Sequence, residues 1–243
     1  MSKDELERLQ GIAKDSWYAK GVSAKMVEYS FCVFSRYIRG GRVLEMGPAE
    51  GIMTPMLLGI SDSLTLLEGA EHFCGDLRRR YPQAVVEHSL FEDYRPSSRF
   101  DCIVLGHVLE HVERPDSIIR RAAQWLSPGG LILAAVPNSR SIHRQAAVLM
   151  GLLPREDHLN ETDLHHGHRR VFNPESFRRV FLDAGLSIRH SGGYWLKPVS
   201  NAQIEQTWTP EMLQAFMELG ERYPDIAGEI YVVAENSAAA SSA

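Results

Sequence analysis

Val43-Leu44-Glu45-Met46-Gly47-Pro48-Ala49-Glu50-Gly51 decides the reading of this chain. It is an apolar run ending in a carboxylate, then Gly-x-x-x-Gly opening onto further apolar sequence. Gly47 lets the backbone turn sharply and approach a ligand with no Cβ in the way. A helix after Gly51 would present free N–H groups at its start. Outward from this point, short β-rich runs alternate with helical patterns. Strands are predicted at 42–47 (RVLEMG), 64–68 (LTLLE), 84–88 (AVVEH), 100–106 (FDCIVLG) and 130–137 (GLILAAVP). Nearly continuous apolar runs suit parallel strands covered on both faces. Helices are predicted over 70–81, with Arg78, Arg79 and Arg80 at its end, and over 115–126, with Pro115 at its start. Basic last turns and proline first turns both fit helix-end physics. Strand-helix alternation with right-handed crossovers gives an open α/β sheet.

The flanking segments extend this core. Ser23 is a possible cap for a helix over 24–39 that Gly40-Gly41 would stop, and another helix is predicted over 4–13. After Pro137 the alternation breaks into a long excursion, 138–172, with a helical stretch over 142–152. Such an excursion is usually functional or disordered. Asn173-Pro174-Glu175 then starts a helix with Asn as cap, Pro at its first position and Gly185 as the stop. A sixth strand is predicted at 187–190, a helix over 210–223 and a last strand at 229–234 (EIYVVA). The division expected is a helical lid over 1–40, a core over 41–236 and a disordered tail over 237–243.

Composition bounds the function. The 243 residues carry 26 Lys+Arg and 31 Asp+Glu, for a net charge of −5, which counts against a nucleic-acid backbone as partner. Three cysteines without CxxC spacing argue against a disulfide framework or a cysteine zinc site, and Cys32 and Cys102 read as core thiols. The charged opening MSKDELERLQ reads as no signal peptide, and no run approaches a membrane span, so a cytoplasmic location is expected.

About twenty residues after the glycine loop, Glu68 ends the second predicted strand, where a carboxylate can accept hydrogen bonds from both hydroxyls of a ribose. That fits a nucleoside-containing cofactor. Nicotinamide and flavin dinucleotides want Gly-x-Gly-x-x-Gly to seat a pyrophosphate. Here Ala49 takes the second glycine position, Pro48 removes one N–H, and Glu50 adds negative charge. S-adenosylmethionine has no phosphate and carries a sulfonium and an ammonium, which an acidic Glu45 suits.

Four motifs in this order then carry a resemblance: VLEMGPAEG, Leu67-Glu68-Gly69, FDCIVLGHVLEHV over 100–112, and Leu126-Ser127-Pro128-Gly129-Gly130. From about Gly40 to Gly185 the chain resembles class I S-adenosylmethionine-dependent methyltransferases, near ubiquinone-biosynthesis O-methyltransferases and natural-product and sugar methyltransferases. Ala49 departs from the usual middle glycine. The resemblance implies a Rossmann-like fold with a mostly parallel seven-stranded sheet, S-adenosyl-L-methionine as cofactor and a small-molecule methyl acceptor. It places Glu45 and Gly47 beside the methionyl part, with Gly51 opening the following helix. Glu68 falls on the ribose with Gly69 beside it, Ser89, Leu90 and Phe91 around the adenine, and Gly106 and His107 beside the sulfonium. Trp17 and Tyr18 would be lid residues.

Methyl transfer is an in-line displacement that needs alignment and exclusion of water, and a hydroxyl acceptor also needs a base. A neutral imidazole suits that task near pH 7. His107, His166 and His168 are the candidates, while His111 reads as structural. Adjacent His165, His166 and His168 do not by themselves supply converging metal ligands, so no metal is assigned. Oxygen is the expected acceptor atom. Nitrogen is the alternative, an NAD-dependent oxidoreductase or a nonenzymatic binding module is a more distant one, and a monomer or homodimer is expected.

Overall fold

A computed structural model describes residues 20–236 and, ahead of them, Arg8 and Gly11. The expected helix over 4–13, Trp17, Tyr18 and the tail over 237–243 lie outside the described residues, apart from Arg8 and Gly11.

Seven strands form one sheet: β1 (Arg42–Met46), β2 (Ser63–Glu68), β3 (Val85–His88), β4 (Phe100–Gly106), β5 (Leu126–Pro137), β6 (Leu186–Tyr194) and β7 (Glu229–Asn236). Their order is β3-β2-β1-β4-β5-β7-β6. All pairs are parallel except those of β7, which runs antiparallel to both β5 and β6. The order reverses between β1 and β4. In open α/β sheets ligands bind at such a switch point, outside the carboxyl ends of the strands.

The helices are α1 (Gly21–Phe34), α2 (Thr54–Leu58), α3 (Glu71–Arg80), α4 (Pro115–Trp125), α5 (Ile142–Leu149), α6 (Glu161–His165), α7 (Pro174–Asp183), α8 (Asn201–Thr207) and α9 (Pro210–Arg222). The strand alternation decides what each face covers. Leu44, Met46, Ile103, Leu105, Ile132 and Ala134 join a core with Ile118, Ile119 and Trp125 of α4 and Phe177 and Phe181 of α7. Val43, Leu64, Leu66, Val104, Leu133 and Ala135 face α1, α3, α8 and α9, meeting Val33, Phe34, Leu77, Ile204 and Met217. Both faces are dry, which is why these strands read as continuous apolar runs.

Several boundaries differ from expectation. Ser23 does not cap α1. The helix starts at Gly21, and the side chain of Glu205 on α8 accepts the Val22 N–H at 3.0 Å, a cap supplied from 183 residues away. Cys32 is exposed rather than a core thiol, because α1 buries the stripe Met26, Tyr29, Ser30, Val33 and Phe34, and Cys32 lies off it. Cys74 and Cys102 are buried. The strand expected from residue 130 begins at Leu126, with a register shift opposite Phe100 and Cys102. Asn173 caps α7 as read, in a reciprocal capping box with Ser176 and with Pro174 following. The two ends of the excursion meet: Asn138 bridges Phe172, and Ser139 N–H donates to Phe172 O at 2.7 Å. Among the described residues no helix is long and apolar enough to cross a membrane.

Candidate active site

A cavity of about 480 Å³ opens where β1 and β4 part. Its walls come from the carboxyl ends of β1, β2 and β4, the segment after β3, and the turn after β4. Of the sequence-predicted residues, Glu45, Gly47, Glu68, Gly69, Ser89, Leu90, Phe91, Gly106, His107 and His166 line it.

Glu68 is buried, and both its oxygens are taken up by the loops around it. Oε1 accepts the Ala70 N–H at 2.8 Å and Oε2 the Ala49 N–H at 3.1 Å. Burial raises its pKa, and the amides of Ala70, Ala49 and Gly69 oppose that rise. Each oxygen keeps a second lone pair for a ligand. Glu45 accepts a hydrogen bond from Thr54 Oγ1 at 2.7 Å. Burial pushes its carboxyl up to about 7 despite the Thr54 bond, and the neighbouring Glu68 adds to the rise.

The glycine loop folds as its chemistry demands. Gly47 has φ of +66°, and a Cβ there would meet Val108 Cγ2 at 3.0 Å. Ala49 has φ of +48°, so this alanine adopts the left-handed backbone that a glycine would take without strain. Gly51 does not reach the cavity. A Cβ on it would meet Leu77 Cδ2 at 2.7 Å, so this glycine serves packing against α3.

His107, at the exit of β4, is a second strained residue, with φ of +59°. Its ring is almost sealed. Nδ1 lies 3.6 Å from Glu229 Oε2 and 3.7 Å from Glu110 Oε1, while Nε2 lies 3.4 Å from both Ser30 Oγ and Tyr194 OH. Burial pulls its pKa down, but the two carboxylates outweigh it and hold the imidazole above its ordinary value. Burial raises Glu229 to about 7 in spite of His107 and Lys197.

His166 reaches the cavity from the excursion, at the C-terminal end of α6. Burial, with His168 and His165 beside it, holds it down to about 4, so it is neutral near pH 7. His168 stands behind it, ring centroids 6.0 Å apart, and does not line the cavity. His168 pairs instead with residues far off in sequence: one side-chain ligand atom each of Glu110, His111 and His168 lie within 4.8 Å of one another. His111, read as structural, does line the cavity, and burial holds it down to about 4.

Sequence reasoning missed Glu92, Asp93, Val27 and Glu113, which also line the cavity. The run Phe91-Glu92-Asp93 carried a signal, since two carboxylates follow the predicted adenine segment directly. Val27 falls within the helical lid expected over 1–40, but nothing in the sequence singled it out from the other apolar residues of α1.

Comparison with known proteins agrees with this architecture. A ubiquinone biosynthesis O-methyltransferase of Maricaulis maris is 26% identical over 180 residues, covering 68% of this chain and 66% of that protein, or just under two thirds of its length. A probable S-adenosylmethionine-dependent methyltransferase of Mycolicibacterium smegmatis is 26% identical over 179 residues, covering 72% of this chain and 69% of that protein. The N-methyltransferase NodS from Bradyrhizobium japonicum, solved with S-adenosyl-l-homocysteine, shares the fold with a TM-score of 0.60 at 15% identity, covering 96% of this chain and 97% of NodS. The family model described as a methyltransferase domain matches residues 28–191, more than half of the chain, and the protein belongs to that family.

Proposed function

We propose that the protein transfers the methyl group of S-adenosylmethionine to a small-molecule acceptor, with a hydroxyl oxygen as the receiving atom. The observation that carries this reading is Glu68: a buried carboxylate at the end of β2, oriented by two backbone amides and facing a cavity at the sheet's switch point. Such a group accepts hydrogen bonds from the hydroxyls of a ribose. Glu45 and Gly47 attend the methionyl end, where a carboxylate offsets the cofactor's positive charges. Ser89, Leu90 and Phe91 attend the adenine, together with Glu92 and Asp93. Gly106 and His107 lie beside the transferring methyl.

The cofactor brings the methyl already activated on a positive sulfur. The chain's own residues bind, align and exclude water. For a hydroxyl acceptor, His166 offers a neutral imidazole at the cavity wall to take the proton. The His107 ring is engaged at both nitrogens and steadies the exit of β4 beside it. An amine is the second reading. It is favoured by Glu113 in the wall and by the absence of Lys or Arg among the described lining residues.

Calorimetry with S-adenosylmethionine and with NAD, followed by an acceptor screen with labelled methyl donor, tests the proposal. Binding of NAD without binding of S-adenosylmethionine would refute it, and the labelled product identifies the acceptor atom.

A further inference from the structure

The excursion holds a guanidinium inside it. Arg144, on α5, is 5% exposed and lines no part of the cavity. An arginine stays charged at any pH the fold survives, and a buried cation is tolerated only when its donors are matched. The matching here is specific. Nε donates to the Glu156 carbonyl at 2.6 Å, Nη2 to the His158 carbonyl, and Nη1 to Asp163 Oδ2 at 3.1 Å. All three acceptors lie in the loop that leads into α6 or at that helix's start, so the guanidinium ties α5 to this segment.

Asp163 passes the constraint on. Its carboxylate accepts the Asn160 N–H at 3.0 Å while its own N–H donates to Asn160 Oδ1 at 2.8 Å, which fixes where α6 begins. Its carbonyl accepts the His168 N–H at 2.9 Å, and Oδ1 lies 3.3 Å from His168 Nδ1. His166 sits between these anchors, its N–H bonded to Thr162 O at 3.0 Å. Among the described residues of the excursion, His166 alone reaches the cavity.

We infer that Arg144 is a positioning residue: acting through Asp163, it sets how the His166 imidazole enters the cavity, and so governs the acceptor side of the site from outside it. This rests on the methyl-transfer reading, in which the cavity holds cofactor and acceptor together. The sequence offers no hint of it, because Arg144 and Asp163 are 19 residues apart in a segment without strand-helix rhythm.

The test needs no acceptor. Diethyl pyrocarbonate modifies accessible neutral imidazoles, and peptide mass spectrometry reads the rate at His166. In the wild type, S-adenosylhomocysteine filling the cavity is expected to slow modification of His166 by about fivefold or more, equivalent to about 1 kcal/mol of protection. In Arg144→Ala that protection is expected to shrink below about twofold, with the calorimetric affinity for S-adenosylhomocysteine held within about threefold of wild type. Millimolar guanidinium, but not potassium, should restore the protection by refilling the vacated site. Asp163→Asn, nearly isosteric, is the second variant should Arg144→Ala fail to fold, and it should lose protection in the same way. Unchanged protection in a folded variant, or loss of affinity in proportion to loss of protection, would overturn the inference. So would a wild-type His166 that the ligand does not protect. A wild type that takes up no S-adenosylhomocysteine would instead sink the methyl-transfer reading itself.

Discussion

The backbone N–H of Ala49 donates to the carboxylate of Glu68 across 3.1 Å and 19 residues of sequence. This bond joins the two segments on which the cofactor reading stands, the loop after β1 and the end of β2. The same carboxylate holds Ala70 with its other oxygen, so it shapes the rim of the cavity before any ligand arrives.

Glu68→Gln keeps the shape but turns one acceptor oxygen into an NH2 donor, which must then face the Ala70 or the Ala49 N–H as well as the ribose. Affinity for S-adenosylhomocysteine should fall by about 1–3 kcal/mol, the cost of losing a charged hydrogen bond and leaving a partner unpaired. The melting temperature of the free protein should not fall in step, because a buried charge has been removed. Calorimetry and thermal melts separate the two effects.

Cofactor binding should strengthen as pH rises through 7. The Glu45 carboxyl sits at about 7 in the free protein because it is buried, and a cationic ligand draws it into the ionised form. Binding near pH 6 should therefore release a proton, seen as a dependence of the calorimetric heat on the buffer's ionisation enthalpy. The free protein should show the opposite trend. The folded pKa of Glu45 lies above its unfolded value, so its contribution to stability is complete below about pH 4 and is lost as pH rises through 7. Denaturant midpoints across that window measure it together with Glu229, which burial also raises to about 7, so Glu45→Gln should flatten the binding dependence and only reduce the stability dependence.

Ala49→Gly removes a strained left-handed alanine, a relief of about 1–2 kcal/mol, against a backbone-entropy cost of about 0.5–1 kcal/mol. Stability should rise slightly, by up to about 1.5 kcal/mol, with cofactor affinity maintained. Chemical denaturation gives the sign. A marked loss would mean that the methyl group of Ala49 packs usefully against the cavity wall.

His107→Ala should destabilise the protein by about 3–5 kcal/mol, because it strips two buried carboxylates, Glu110 and Glu229, of the imidazole between them. Adding Glu229→Gln to that variant should recover part of the loss, so the double-mutant cycle should show coupling well above experimental error. Additive losses would detach Glu229 from His107.

Four of the five strands before the excursion, β1, β2, β4 and β5, were legible because burial on both faces leaves a one-dimensional trace, an unbroken apolar run, whereas β3 is a half-exposed edge strand. Glu68 was legible through its spacing from Gly47. What escaped depends on contacts between distant segments. Nothing in the identity of Ala49 announces a positive φ. Gly51 looks like part of the ligand loop, yet its missing side chain makes room for Leu77. His107 could be placed at the strand exit, but its partners Glu229, Ser30 and Tyr194 arrive from β7, α1 and β6. The residues around 163–168 read as a row of histidines, whereas the fold turns His166 to the cavity and His168 toward Glu110 and His111.

The position of β7 has a consequence for how the molecule is made. The strand lies between β5 and β6 although it is the last of the seven in the chain. Until Glu229–Asn236 has left the ribosome, β5 keeps an open edge and β6 has no neighbour to pair with. Hydrogen bonding across the sheet can therefore close only once β7 has emerged. A nascent chain halted near Gly228 should remain protease-sensitive through β6 and bind chaperones that recognise unpaired strands, and emergence of β7 should end both states together.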